Sequence, residues 1–153
     1  MDLILWRHAE AVEFGDETDD LERRLTSRGE RQAGRMAAWL NRHLPATTRI
    51  IVSPARRAQQ TAAPLERKFR TVAALAPGAS VTSLLEAARW PESKEAVLVV
   101  GHQPTMGQTA AYLLSGTDQS WAVRKGAVWW LRSRERGGDG QVVLVAMLGT
   151  EQL

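Results

Sequence analysis

Short apolar runs bounded by polar residues alternate along this chain with stretches whose apolar positions recur every three or four residues. Leu3-Ile4-Leu5-Trp6, Arg49-Ile50-Ile51-Val52 and Ala96-Val97-Leu98-Val99-Val100 have the length and composition of buried strands. Between them, Ala33, Met36, Ala37, Leu40 and Leu44 share one helical face, with Thr26 or Ser27 positioned to cap its start. A second helix is expected from Ser53 as N-cap and Pro54 as first residue, burying Ala55, Ala58, Ala62, Leu65 and Phe69. Thr71 to Leu75 reads as a short strand, and Ala76-Pro77-Gly78-Ala79 as a turn before a helix of about ten residues around Leu84, Leu85 and Ala88. Pro104 opens a further helix bearing Met106, Ala110, Leu113 and Leu114.

The last third changes character. Ala127 to Leu131 and Val142 to Met147 flank Gly137-Gly138-Asp139-Gly140, the pattern of two strands in a hairpin. Trp129 and Trp130 point to opposite faces of their strand, and burial under helices on both faces accounts for them. Alternating β and α segments with a β-rich end predict a three-layer α/β/α sandwich around a mostly parallel mixed sheet. No repeat, linker or low-complexity segment interrupts this order, so residues 1–153 are expected to form one domain.

Composition narrows the classes. With 44% hydrophobic and 24% charged residues, the chain has the balance of a globular protein. It contains no cysteine, which removes disulfides and thiolate chemistry and gives no reason to expect an oxidising compartment. No leader-like segment or membrane-length apolar run is evident, so a cytoplasmic protein without membrane partners is expected. The pI of 9.9 accompanies a net charge of only +3, and arginines are scattered among acidic residues. That distribution lacks the single basic stripe of a nucleic-acid footprint. The acidic stretch Glu13, Asp16, Glu17, Asp19, Asp20 and Glu22 would repel phosphates and reads as a solvated loop.

Candidate chemistry lies where the strands end. Arg7-His8 follows the first run, Ser53-Pro54 and Arg56-Arg57 the second, and Gly101-His102 the third. Ligands gather beyond the carboxyl ends of strands in open α/β sheets. If these strands are parallel neighbours, Arg7, His8, Arg57 and His102 converge on one anion site. The start of the second helix would add its amide groups and positive dipole end beside Arg57. His43, at a helix end where a cation suits the dipole, has no expected catalytic role, while Trp90 covers a pocket or staples a loop.

The segments Leu5-Trp6-Arg7-His8-Ala9-Glu10-Ala11, Ser53-Pro54-Ala55-Arg56-Arg57-Ala58-Gln59-Gln60-Thr61-Ala62 and Val99-Val100-Gly101-His102-Gln103-Pro104 resemble the histidine phosphatase superfamily, also called phosphoglycerate mutase-like. Their order and spacing are similar to its SixA branch, the phosphohistidine phosphatases. The resemblance implies the phosphoglycerate mutase-like fold, His8 as a nucleophile forming a phosphohistidine intermediate, and Arg7, Arg57 and His102 as phosphate-binding and catalytic partners. Arg56 falls outside the Ser-Pro-x-x-Arg register. Ala9 replaces the glycine of the Arg-His-Gly signature, so the turn after His8 should avoid positive φ.

Two arginines and a second histidine around an in-line nucleophile contain what phosphoryl transfer needs without a cofactor or metal. Superfamily members acting on alkyl phosphates carry a carboxylic acid for the leaving alkoxide, but Leu75-Ala76-Pro77-Gly78-Ala79-Ser80 offers none before Glu86. An imidazole leaving group, with pKa about 6.5, needs that proton far less. Phosphohistidine on a protein, such as a histidine phosphotransfer domain, is therefore the expected substrate. A small phosphomonoester, with Glu86 as a displaced acid, and a non-catalytic phosphate-binding module are the alternatives.

Overall fold

The computed structural model describes residues 1–13, 15, 19–136 and 139–153. Gly137 and Gly138 of the expected hairpin turn, and Asp16 and Glu17 of the acidic stretch, lie outside the described residues. Six strands, β1 (Asp2–Arg7), β2 (Arg49–Val52), β3 (Arg70–Thr71), β4 (Val97–Gly101), β5 (Val128–Arg136) and β6 (Asp139–Leu148), form one sheet in the order β3-β2-β4-β1-β5-β6. The first four are parallel, and β5 and β6 add an antiparallel hairpin beside β1.

The alternation of side chains along each strand sorts the core into two layers. Ile4, Trp6, Ile50, Val52, Leu98 and Val100 meet α1 (Ser27–His43) and α2 (Arg56–Ala62) on one face. Leu3, Leu5, Ile51, Val97 and Val99 meet α3 (Val81–Ala88) and α4 (Thr105–Ser115) on the other. Trp130 joins the first layer and Trp129 packs against the second, as their alternation requires. The three-layer α/β/α sandwich read from the sequence is the observed architecture.

Local chemistry sets the element ends. Thr26 caps α1 by accepting a 3.0 Å hydrogen bond from the Gly29 amide. Gly29 itself is required, because a Cβ there would collide with the carbonyl of Glu10 in the chain that follows β1. At the other end His43 stacks on Trp39 and bonds its carbonyl.

Several boundaries differ from the sequence reading. α2 begins at Arg56 with Ala55 in the cap position, so Ser53 and Pro54 lie before it. The Ser53 hydroxyl is already engaged with His102 and the Ala55 amide, which ties those residues into a turn. α2 also ends at Ala62, and Leu65 is buried from a short 3₁₀ turn containing Pro64, whose ring cannot continue an α-helix interior. The expected strand at Thr71 to Leu75 is instead a two-residue β3 and a 3₁₀ turn over Ala73–Leu75. α3 has eight residues, closed by Arg89 in the left-handed conformation.

Candidate active site

Adjacent strand ends build the site. Arg7 closes β1 opposite Gly101 of β4, and the His8 amide donates to the Gly101 carbonyl at 3.0 Å. On the other side of β4, the Ser53 amide donates to the Val100 carbonyl at 3.0 Å. The parallel run β2-β4-β1 thereby brings Arg7, His8, Ser53 and His102 to one edge. Arg57 approaches from the first turn of α2, where it is buried and Arg56 is exposed, in keeping with the register argument.

His8 is buried, and its ring lies 5.3 Å from that of His102. Its Nδ1 lies 2.7 Å from the Ala9 carbonyl oxygen. A carbonyl can only accept, so Nδ1 carries the proton and Nε2 keeps a bare lone pair. Burial pushes the His8 pKa down to about 3; the Ala9 bond opposes this, while His102, Arg57 and Arg7 reinforce it. The ring is neutral at pH 7. Ala9 avoids positive φ, as expected, and its amide donates to Thr61 Oγ1 at 3.0 Å, tying the turn after His8 onto α2.

His102 is held differently. Its Nε2 lies 2.7 Å from Ser53 Oγ, which also accepts from the Ala55 amide at 3.1 Å. The Ser53 O–H then has His102 Nε2 as its acceptor, leaving the proton of the neutral ring on Nδ1. Burial lowers the His102 pKa to about 4, followed by the effect of Arg57, with Asp20 opposing.

Both arginines are anchored by their outer nitrogens. Arg7 donates through Nη1 to the Val123 carbonyl at 2.8 Å. Arg57 donates through Nη1 to the Asp20 carbonyl at 2.7 Å and through Nη2 to the Asp20 carboxylate at 3.2 Å. Burial lowers both guanidinium pKa values, yet a group that starts so basic stays charged. Arg7 Nε, Arg57 Nε and His102 Nδ1 are three of the four buried side-chain polar atoms without a partner among the described residues. Buried donors without acceptors are rare and mark a place where an acceptor belongs.

Asp20 corrects the reading of the acidic stretch. It sits in a 3₁₀ turn (Asp20–Glu22), and Arg23 Nε also donates to its carboxylate, at 2.8 Å. Burial would raise its pKa, but the Arg23 bond and the Arg57 charge outweigh that and hold it below the usual carboxylate range. Its charge invited a solvated reading, since the pairing partner Arg57 lies 37 residues away. The roles of Ser53 and Thr61 were also absent from the pattern, where one read as a cap and the other as a helix residue. Glu86 lines a cavity of about 570 Å³ between α3 and α4 with Trp90 and Tyr112, apart from these side chains. Among the described residues no group of three or more His, Cys, Asp or Glu could hold a metal, and no helix is long and apolar enough to cross a membrane.

The mixed sheet, its flanking helices and the strand-end pocket define an α/β/α protein of the phosphoglycerate mutase-like fold. Residues 3–80 match the histidine phosphatase superfamily (branch 1). Across 122 residues the chain is 37% identical to an uncharacterised Mycobacterium tuberculosis (strain ATCC 25618 / H37Rv) protein, Rv1276c, covering 77% of each. The chain belongs to the histidine phosphatase superfamily. Its structure is similar to that of a Nakamurella multipartitia protein provisionally named phosphohistidine phosphatase SixA, with TM-score 0.80, 28% identity and coverage of 96% of this chain and 94% of that one. The fold is shared, at TM-score 0.78 and 24% identity over 99% of both chains, with protein histidine phosphatase SixA complexed with tungstate. Phosphatase activity is the function this membership supports.

Proposed function

We propose that residues 1–153 form a single, metal-independent, cytoplasmic phosphohistidine phosphatase domain that works through a covalent intermediate on His8. The observation that carries this reading is the bare Nε2 of a neutral His8 beside three buried donors, on Arg7, Arg57 and His102, that have no acceptor. A phosphoryl group supplies the missing acceptors. His8 Nε2 attacks phosphorus as the P–N bond to the substrate ring breaks, and that ring, protonated from solvent on its other nitrogen, departs as neutral imidazole. Water then attacks the phosphorus of phospho-His8 and gives one proton back to solvent, releasing inorganic phosphate and restoring the neutral ring. Arg7, Arg57 and His102 hold the phosphoryl oxygens as charge redistributes, with no electrons gained or lost overall.

Leaving-group chemistry favours phosphohistidine on a protein, such as a phosphotransfer domain, over a small phosphomonoester. Asp20, the carboxylate bonded to Arg57, is held in its ionised form and is poorly suited to protonate an alkoxide. The named relative with tungstate, a tetrahedral oxyanion, is consistent with such a pocket.

The test compares kcat/KM for a phosphohistidine peptide and a sugar phosphate. The peptide should be preferred, and His8→Ala should abolish turnover and phosphoenzyme while retaining oxyanion binding. Arg57→Ala should weaken both binding and turnover, by on the order of a hundredfold in rate. Full hydrolysis by His8→Ala would remove the nucleophile assignment. Faster hydrolysis of the sugar phosphate would instead identify a small-molecule phosphatase. Oxyanion binding without turnover on any substrate would identify a binding module.

A further inference from the structure

The fourth buried donor without a partner is Arg49 Nε, and it lies in a second arginine cluster outside the candidate active site. Arg49 opens β2, Arg70 opens β3 and Arg89 follows α3; together with Thr71 and Val72 they line a cavity of about 310 Å³. Arg7, His8, Arg57 and His102 do not line it.

The outer nitrogens of Arg49 account for its fold role. Nη2 donates to the Ala88 carbonyl at 2.9 Å and Nη1 to the Ala87 carbonyl at 3.4 Å, covering the carbonyl end of α3. That role leaves Nε unused. It also does not explain why Arg70 and Arg89 share the cavity, because among the described residues no carboxylate forms an ion pair with any of the three guanidiniums. Their mutual repulsion is felt at Arg49: after burial, Arg89 and then Arg70 act to lower its basicity, with only Glu95 opposing. Like charges gathered around a concavity are destabilising until an anion enters.

We infer that the cavity formed by Arg49, Arg70 and Arg89 is a second oxyanion site, selective for a compact phosphate group. Planar guanidinium forks match tetrahedral oxyanion geometry, and three of them around one concavity without a carboxylate partner among the described residues are matched by an entering phosphate. A volume of about 310 Å³ is large enough for inorganic phosphate or for the phosphate group of a small molecule. The inference is independent of the reaction proposed at His8.

The experiment titrates the full chain with inorganic phosphate up to about 10 mM, where millimolar sites fill. Labelled-phosphate dialysis gives stoichiometry, and amide NMR shifts give location. Two phosphates per chain are expected, with shifts at Arg49 and Arg70 to Ala73 accompanying the second. Arg70 and Arg89 are exposed, so the Arg70→Gln/Arg89→Gln double variant should fold, keep its phosphatase activity and bind the second phosphate at least tenfold more weakly. Arg57→Ala should affect the first site alone, which separates failure of this inference from failure of the catalytic reading. A single phosphate per chain, or second-site shifts unchanged in the double variant, would overturn it. Repeating the titration with a phosphorylated three-carbon acid distinguishes free phosphate from a phosphorylated metabolite as the tighter ligand.

Discussion

Lowering the pH from about 8 to 5 should cost the protein about 4 kcal/mol of stability through two histidines. Both His8 and His102 are buried, and burial depresses their pKa values to about 3 and about 4. In the unfolded chain they return to about 6.5. The unfolded state therefore binds protons before the native state does. The contribution is fully present above about pH 6.5 and is lost as pH falls toward the folded values. At about pH 5 each ring sits some 1.5 pH units below its unfolded pKa, worth about 2 kcal/mol at 1.36 kcal/mol per unit. Two such rings give about 4 kcal/mol, a large share of the 5–15 kcal/mol typical of a folded domain. Asp2 and Asp20 also have depressed pKa values, but their losses begin in the carboxylate range, below this window. Urea unfolding across the window measures the effect. Buffers must be phosphate-free, since a bound oxyanion stabilises the native state by mass action. The slope should approach two protons for the native sequence and fall by nearly two in His8→Gln/His102→Gln. Equal slopes in the two proteins would refute the claim that both rings are neutral and buried.

Ser53→Ala removes the hydroxyl that holds His102 Nε2, so kcat should fall about 10- to 100-fold with KM changing little, and Ser53→Thr should recover most of it; an unchanged kcat would mean the hydroxyl does not fix the ring. Asp20→Asn removes a carboxylate that competes with oxyanions for Arg57 while keeping a side chain of the same size. Phosphate should bind about fivefold more tightly, equivalent to ~1 kcal/mol at this partly exposed position, and calorimetry showing weaker binding would assign Asp20 a purely supporting role.

Much of this architecture was legible because it rests on local rules. The buried parallel strands are nearly unbroken apolar runs, α1 carries its stripe and its Thr26 cap, Arg7 closes a strand, and His8 and His102 immediately follow strands that can be read individually. Arg57 was legible through register, its neighbour Arg56 being turned to solvent. What stayed hidden depends on pairing across the chain. Ser53 has the composition of a helix cap, but its hydroxyl is engaged with His102 and the Ala55 amide, and α2 begins at Arg56. Asp20 reads as one charge among many until Arg57 meets it. β3 is only Arg70 and Thr71, paired with Ile51 and Val52 of β2, and no apolar run in the sequence marks it. Arg49, Arg70 and Arg89 stand far apart in a chain rich in arginine, and no spacing rule links them.

The order β2-β4-β1 also decides when, during folding, the chain can first hold an oxyanion. The Ser53–His102 contact closes 49 residues and the Arg7–Val123 contact closes 116, so no hairpin or helix pair assembles the pocket locally. Parallel pairings of this range are entropically late events. Oxyanion binding is thus acquired with the central three strands and is absent from any partly folded species that lacks one of them. Phosphate added to a refolding reaction should leave the folding rate nearly untouched and slow unfolding, making the ligand a lock on the finished sheet with no part in its nucleation.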